Sequence, residues 1–258
     1  MSAPIRLLVL SAGLSTPSST RMLADVLSRA SADALESRGA QVEVRTVELR
    51  ELAHDITDMM LTRFPSQRLA DVISALTQAD AVIAVTPIFN VGPSGLAKSF
   101  LDAVDRELWT GKPVLLGATA GTSRHSLAID YAIRPTFGYL RSEVVPTAVF
   151  ASSADFGATS PDEADEQPLA VRARRAGAEL ATMLLAGVGE AAESAIEHED
   201  QGQAAGQGQG RQAPQAGQAG QDQAITGPAA DGGDARTGSS LDPEFSDFVP
   251  MDRLLGGK

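Results

Sequence analysis

Continuous apolar runs that alternate with segments of helical periodicity constrain the fold of this chain most strongly. Residues Ile5–Ser11 and Ala81–Val85 are almost wholly apolar, as strands are when a sheet is buried on both faces. Between them, the apolar side chains of residues 22–35 recur at three- and four-residue spacing, which predicts a helix that packs on such a sheet. Strands that alternate with helices in this way pair in parallel through right-handed crossovers. The pattern therefore predicts an α/β domain.

Five strands are predicted in this domain, at Ile5–Ser11, Gln41–Leu49, Ala81–Val85, Pro113–Ala118 and Val144–Ala151. The spacing of apolar residues predicts helices at 22–35, 69–76, 95–108, 126–140 and 169–185. The second strand alternates polar and apolar residues, so it is expected near an edge of the sheet. The sequence thus predicts a doubly wound, five-stranded parallel sheet of order 2-1-3-4-5 with helices on both faces.

The composition changes after Glu190, which divides the chain into three predicted parts. Residues 1–186 form the α/β domain, and residues 187–240 are predicted to be an acidic, disordered linker because Gln, Gly and Ala bury too little apolar surface to fold. Residues 241–258 regain apolar side chains, among them Phe245, Phe248 and Leu254. This end is either a disordered apolar tail or a short motif that docks on the domain or on a neighbouring subunit.

Charge and cysteine content exclude several function classes. The formal net charge is −12, and no basic face is evident, so nucleic acid is not an expected partner. The chain contains no Cys, which excludes disulfides, thiolate metal sites and a cysteine nucleophile. The apolar run at residues 7–10 is too short for a signal peptide or a membrane span, so we expect a cytoplasmic protein without membrane contact.

The loop after the first strand is rich in hydroxyl groups. It reads Ser11-Ala-Gly-Leu-Ser-Thr-Pro-Ser-Ser-Thr20 and leads directly into a predicted helix, whose N-terminus attracts a phosphate. Neither Gly-x-Gly-x-x-Gly nor Gly-Lys-Ser/Thr is present, so a phosphate monoester such as that of flavin mononucleotide (FMN) fits better than a dinucleotide or a triphosphate. The candidate ligands are Ser11, Ser18, Ser19 and Thr20. The alternative is that Ser18 or Ser19 only caps the helix.

The loop after the third strand carries a more specific motif. Thr86, Pro87, Phe89 and Asn90 are followed by a helix with Lys98, Leu101 and Asp102. Over about residues 4–185 the chain resembles the NADPH-dependent FMN reductases of the flavodoxin-like superfamily. In that family this loop lies along the isoalloxazine ring. The resemblance therefore implies ring contacts from Pro87, Ile88, Phe89, Asn90, Val91 and Gly92.

A third segment follows the fourth strand. It reads Thr119-Ala-Gly-Thr-Ser-Arg-His125 and continues as Ser-Leu-Ala-Ile-Asp-Tyr-Ala-Ile-Arg-Pro135. It resembles the subgroup of flavin reductases that supplies reduced flavin to two-component monooxygenases. The resemblance implies flavin contacts from Thr119, Gly121, Thr122, Ser123 and His125. Tyr131 matches a position that lies at the subunit interface in some relatives.

The resemblance also implies a complete functional hypothesis. The chain is expected to be an NAD(P)H-dependent FMN reductase that uses FMN and NADPH or NADH, transfers a hydride to flavin N5 and needs neither a metal nor a catalytic side chain. Reduced flavin is expected to pass to a partner monooxygenase, and the enzyme is expected to be a homodimer or homotetramer. The alternatives are a quinone or azo reductase that retains its flavin, or a flavodoxin-type electron carrier.

The first loop departs from the family pattern, as does the turn Ala120-Gly121-Thr122, where the family has Gly-Gly-Ser. Many flavin reductases carry an Arg inside the first loop, where this chain has Leu14 or Ser15. The 2′-phosphate of NADPH would then need another cation, and Arg21 and Arg124 are the candidates.

Overall fold

The computed structural model describes residues 3–157 and 167–204, with side chains described up to residue 186. The strands are β1 (Ile5–Ser11), β2 (Val42–Glu48), β3 (Ala81–Phe89), β4 (Gly92–Pro93), β5 (Pro113–Ala120), β6 (Glu143–Val144) and β7 (Val149–Ser152). The α-helices are α1 (Ser19–Glu36), α2 (Ala53–Thr62), α3 (Gln67–Gln78), α4 (Gly95–Ala103), α5 (Arg134–Tyr139) and α6 (Leu169–Ala204).

The main strands pair in the predicted order. The sequence of neighbours is β2, β1, β3, β5, and all of these pairs are parallel. The predicted fifth strand is present as two pieces, β6 and β7, which both pair with β5 in parallel. Pro146 lies between the two pieces, and its missing N–H cannot join the ladder. The flavodoxin-like fold is therefore confirmed, with seven strands instead of five because of this split and of the short strand β4.

Alternate side chains of the central strands point to opposite faces and build two apolar layers. Leu8 and Leu10 of β1 pack into the layer that α3, α4 and α5 cover, and Trp109 lies within it. Leu7 and Val9 pack into the other layer, beneath α1 and α6. Helices therefore cover both faces of the sheet, as the continuous apolar runs predict.

Several helices differ from the sequence prediction. Helix α2 is not predicted from the sequence. Helix α4 ends at Ala103 because Val104 is extended, and this lets the 3₁₀ turn Arg106–Trp109 bring the indole into the core.

The predicted helix over residues 126–140 is interrupted. It contains a π-turn at Ile129–Ile133 and then α5, and a 3₁₀ turn at Ser123–His125 precedes it. Pro135 removes one N–H from any continuous helical ladder here, which favours the break.

Helix α6 continues to Ala204, beyond the predicted end at Leu185, so the first part of the predicted disordered linker is helical. The Ala- and Glu-rich run after Glu190 consists of strong helix formers, which accounts for the extension. The rest of the predicted linker and the apolar motif at 241–258 lie outside the described residues. Within the described part, no helix combines the length and apolar character that crossing a bilayer requires.

Candidate functional site

Three loops meet at the carboxyl edge of the sheet because their strands are neighbours. Ser11, the last residue of β1, pairs with Val85 of β3, and Pro87 of β3 pairs with Thr119 of β5. The N–H of Ala12 also donates to the Val85 carbonyl at 2.9 Å. The loops after β1, β3 and β5 therefore form one continuous surface, at the position where open α/β sheets bind ligands.

The first loop closes tightly on the start of α1. The Oγ of Ser18 accepts a hydrogen bond from the N–H of Arg21 at 3.2 Å, so Ser18 is the N-cap of the helix. A Cβ added at Gly13 would collide with this hydroxyl, so only glycine permits the approach. Sequence reasoning did not select Gly13, although a glycine two residues after a buried strand signals a close backbone approach.

The hydroxyl groups of this loop differ in their surroundings. Ser11 and Thr20 are buried, whereas Ser19 is exposed. Thr20 Oγ1 lies 2.8 Å from Thr119 Oγ1 in a buried hydrogen bond, which joins the first loop to the third. The first N–H groups of a helix have no partner within it, and Ser18 satisfies only that of Arg21. Among the residues that the structure describes, the N–H groups of Ser19 and Thr20 have no acceptor, so they remain for an outside one.

An ion-pair network flanks the first loop. Arg21 contacts Asp25 at 2.9 Å and Glu48 at 2.8 Å, and the hydrogen bond with Asp25, with the further pair to Glu48, raises the pKa of Arg21 despite partial burial. Arg50 contacts Glu48 at 2.7 Å and also donates to Thr16 Oγ1 within the loop. Arg50 was not predicted from the sequence. Its position directly after β2, the strand that pairs with β1, could have indicated a role beside the first loop.

The second loop is a tight hairpin between β3 and β4. Asn90 and Val91 both have positive φ, at 50° and 63°, as a type I′ turn requires. Thr86 Oγ1 accepts from the N–H of Ser94 at 3.0 Å, and Ser94 caps α4, so the base of the hairpin is fixed. Phe89 and Val91 are 49% and 63% exposed at the tip.

The third segment begins at the buried Thr119 and continues into the turn Ser123–His125. Thr122 and His125 are half-buried, and Gly121 and Ser123 are exposed. Of this group, Thr119 alone bonds to another candidate residue within the described part of the chain. Leu127 and Tyr131, which follow, are 62% and 79% exposed. Among all the residues that the structure describes, no cluster of His, Asp or Glu could hold a metal ion.

Comparison with known proteins shows the family. The family model described as NADPH-dependent FMN reductase matches residues 5–157. The chain belongs to the NADPH-dependent FMN reductase family. The matched residues include β1 to β7 and the three loops at the carboxyl edge.

Some curated relatives of this chain are named for NADPH and others for NADH. It is 30% identical to an FMN reductase (NADPH) of Pseudomonas aeruginosa over 60% of this chain and 81% of that protein. It is also 30% identical to the NADH-dependent FMN reductase SfnF of Pseudomonas fluorescens over 68% of this chain and 90% of that protein.

Solved structures agree with the fold. An oxidoreductase from Corynebacterium diphtheriae is 43% identical, with a TM-score of 0.66 over 71% of this chain and 98% of that chain. The apo form of an NADH:FMN oxidoreductase (EMOB) is 24% identical, with a TM-score of 0.58 over 69% of this chain and 89% of that chain. The protein is thus an oxidoreductase of this family, with FMN as its flavin and NADPH or NADH as the electron donor.

Proposed function

We propose that the carboxyl edge of the sheet binds FMN and a reduced nicotinamide nucleotide together, and that the protein releases reduced flavin to a partner monooxygenase. The observation that carries the proposal is the close approach of Ser18 to Gly13 at the start of α1. The loop thereby folds back onto the helix start and forms a cradle in which the N–H groups of Ser19 and Thr20 have no acceptor among the described residues. A terminal phosphate is the ligand that such a cradle favours.

The first loop is assigned to the phosphate. The N–H groups of Ser19 and Thr20 and the positive end of the α1 dipole attract it. The hydroxyls of Ser11, Ser18, Ser19 and Thr20 are the side-chain groups assigned to the same site. Arg50 holds the loop through Thr16, and its charge and that of Arg21 are balanced by Glu48 and Asp25. The cradle therefore relies on hydrogen bonds rather than on excess positive charge.

The second and third loops are assigned to the flavin ring. The hairpin has an exposed apolar tip at Phe89 and Val91. The assigned ring contacts are Pro87, Ile88, Phe89, Asn90, Val91 and Gly92. The turn after β5 faces it from the neighbouring strand, with Gly121, Thr122, Ser123 and His125 on its course. Thr119 connects the third loop to the first through its buried hydrogen bond with Thr20.

The chain itself binds the flavin and the nicotinamide nucleotide, orients them and shields them from water. When bound, FMN supplies the acceptor, at N5, for the hydride that leaves the reduced nicotinamide. The loops at this edge contain no carboxylate between Ser11 and Thr20, between Thr86 and Ser94, or between Thr119 and His125. Phe89 is the single aromatic residue in these three loops. A ring held mainly by backbone groups exchanges readily, which favours a reductase that hands on its flavin over a tight electron carrier.

Exposed apolar side chains beside the site support a homo-oligomer. Phe89, Val91, Leu127 and Tyr131 all lie near the carboxyl edge and are at least 49% exposed. Contiguous exposed apolar groups mark interaction surfaces. We propose that a second subunit covers them in a dimer or tetramer, and that the enzyme works in the cytoplasm, where NAD(P)H is supplied. Light scattering should give at least twice the mass of 26.8 kDa, and a monomer at micromolar concentration would refute the assembly.

Steady-state oxidation of NADPH and NADH by the purified chain tests the function. We expect the rate to rise with added FMN and to show an isotope effect with donor deuterated at nicotinamide C4, because the hydride leaves that carbon. Oxidation that requires a quinone and ignores free FMN would indicate the quinone reductase instead. When a flavin-dependent monooxygenase, its substrate and O2 are added, the substrate should be oxygenated while the reduced flavin supplies the electrons and returns to FMN.

A further inference from the structure

Four cations stand closest to the candidate site along the chain. They are the first Lys or Arg that follows each of the four long strands at the carboxyl edge, namely Arg21 after β1, Arg50 after β2, Lys98 after β3 and Arg124 after β5. These side chains are the candidates to bind an anionic group of a nucleotide that enters between the loops. Their existing partners decide which of them is available to bind it.

Three of the four cations are already paired. Arg21 contacts Asp25 and Glu48, and Arg50 contacts Glu48 and Thr16. Lys98 Nζ lies 2.7 Å from both carboxylate oxygens of Asp102. A phosphate that recruited any of these side chains would first have to displace a carboxylate, which costs part of the energy gained.

Arg124 differs from the other three. It is exposed, it lies in the turn Ser123–His125, and it makes no hydrogen bond or ion pair with any described residue. Its planar guanidinium matches the geometry of a phosphate group and forms bidentate hydrogen bonds with it. Binding a phosphate here breaks no existing ion pair.

We infer that Arg124 binds the 2′-phosphate of NADPH and gives this chain its preference for NADPH over NADH. The two donors differ by that phosphate alone, so a cation that is free to meet it discriminates between them. Arg21, the other candidate from the sequence, is instead paired with Asp25 on α1 and Glu48 on β2. The inference rests on the proposed function, because it requires a nicotinamide nucleotide at this edge.

The test compares the two donors in the full chain. The ratio of kcat/KM for NADPH to kcat/KM for NADH is measured with saturating FMN for wild type, R124Q, R21Q and the exposed control R29Q on α1. We expect wild type to favour NADPH and R124Q to lower the ratio about tenfold, the scale of one charge-assisted contact. R21Q and R29Q should leave the ratio unchanged.

A binding measurement gives a second readout. Adenosine 2′-phosphate should compete with NADPH more strongly than adenosine 5′-phosphate in wild type, and R124Q should remove that difference. An unchanged ratio in R124Q, a wild type that prefers NADH, or a loss of preference in R21Q alone would overturn the inference. A wild type that oxidises neither donor with FMN would instead refute the proposed function.

Discussion

At the scale of single residues, Val91 has the least favourable backbone in the candidate site. It is β-branched and has a φ of 63°, in the left-handed region that glycine and asparagine tolerate better. Strain of this kind persists where the surrounding structure enforces it and is frequent at ligand-binding loops. Asn90, which precedes it, is well suited to the first central position of the same turn.

Replacement of Val91 by glycine should therefore stabilise the protein. We expect V91G to raise the free energy of unfolding by about 1 kcal/mol, because Asn-Gly is the preferred type I′ pair. Thermal unfolding of V91G and wild type measures the change. The matched control is V44G on the edge strand β2, where φ is not positive and the loss of a β-branched residue should lower the melting temperature. A lower melting temperature for V91G would show that the hairpin is not strained.

The Thr20–Thr119 hydrogen bond makes a second prediction. In T119V the Thr20 hydroxyl stays buried without its partner, which costs about 1–3 kcal/mol. Because the bond joins two loops of the proposed FMN site, T119V should also weaken FMN binding in a fluorescence titration. T77V removes a hydroxyl that bonds only within α3, and should change neither quantity. If T119V bound FMN as tightly as wild type does, the Thr20–Thr119 hydrogen bond would not contribute to FMN binding.

At the scale of elements, α1 and α6 pack unusually closely through a glycine. A Cβ at Gly177 would lie 2.8 Å from the backbone carbonyl group of Ala30 and from the N–H of Ser31. Backbone atoms cannot move aside as a flexible side chain can. Small residues such as Ala173 and Ala176 line the same face of α6 and are buried.

Substitution at this contact should separate the two helices. We expect G177A to destabilise the protein by about 1–3 kcal/mol through overpacking. The control is G138A in α5, where nothing lies within 4 Å of the added Cβ and alanine should be neutral or stabilising. Urea unfolding of the two variants gives both values. Equal stability of G177A and G138A would contradict the close packing.

A carboxylate on α6 holds the segment between β6 and β7. Glu179 accepts hydrogen bonds from the N–H and the hydroxyl of Thr147 at 2.8 and 2.7 Å. Burial raises the pKa of Glu179, but these bonds and the pair with Arg175 outweigh it and place the pKa below its ordinary value of 4.5. A depressed carboxylate pKa stabilises the fold above the unfolded pKa, and this stabilisation is lost as the pH falls through the folded pKa.

The stability difference between wild type and E179Q should therefore depend on pH. We expect the free energy of unfolding of E179Q to be about 1 kcal/mol lower than that of wild type at neutral pH. This difference between the two proteins should shrink as the pH falls below 4.5. Thermal melts at a series of pH values measure it. E36Q, an exposed glutamate at the end of α1, serves as the control and should follow wild type at every pH. A difference that is constant with pH would exclude the charged carboxylate as its source.

At the scale of the whole molecule, the sequence predicts the architecture better than its details. The apolar runs predicted β1, β3 and β5, because burial on both faces requires them. The alternation of polar and apolar residues in the second strand placed it near an edge, as the doubly wound order requires. Helix α2 was not predicted. The break at Pro146 and the π-turn before α5 were also not predicted, although each lies beside a proline whose missing N–H interrupts the backbone ladder, because the prediction followed the periodicity of apolar residues. For the site, the sequence selected the three loops, but it missed the roles of Gly13 and Arg50. Those roles arise from contacts between segments that are distant along the chain.

The central claim is that the cradle at Gly13 and Ser18 holds the phosphate of FMN, and riboflavin, which lacks that phosphate, tests it most directly. Fluorescence titration of the full chain with FMN and riboflavin measures the preference in wild type, in G13A and in the control G95A, where an added Cβ has open space. We expect wild type and G95A to bind FMN at least about tenfold more tightly than riboflavin, and G13A to lose this preference. Equal affinity of wild type for the two flavins, or an undiminished preference in G13A, would contradict it.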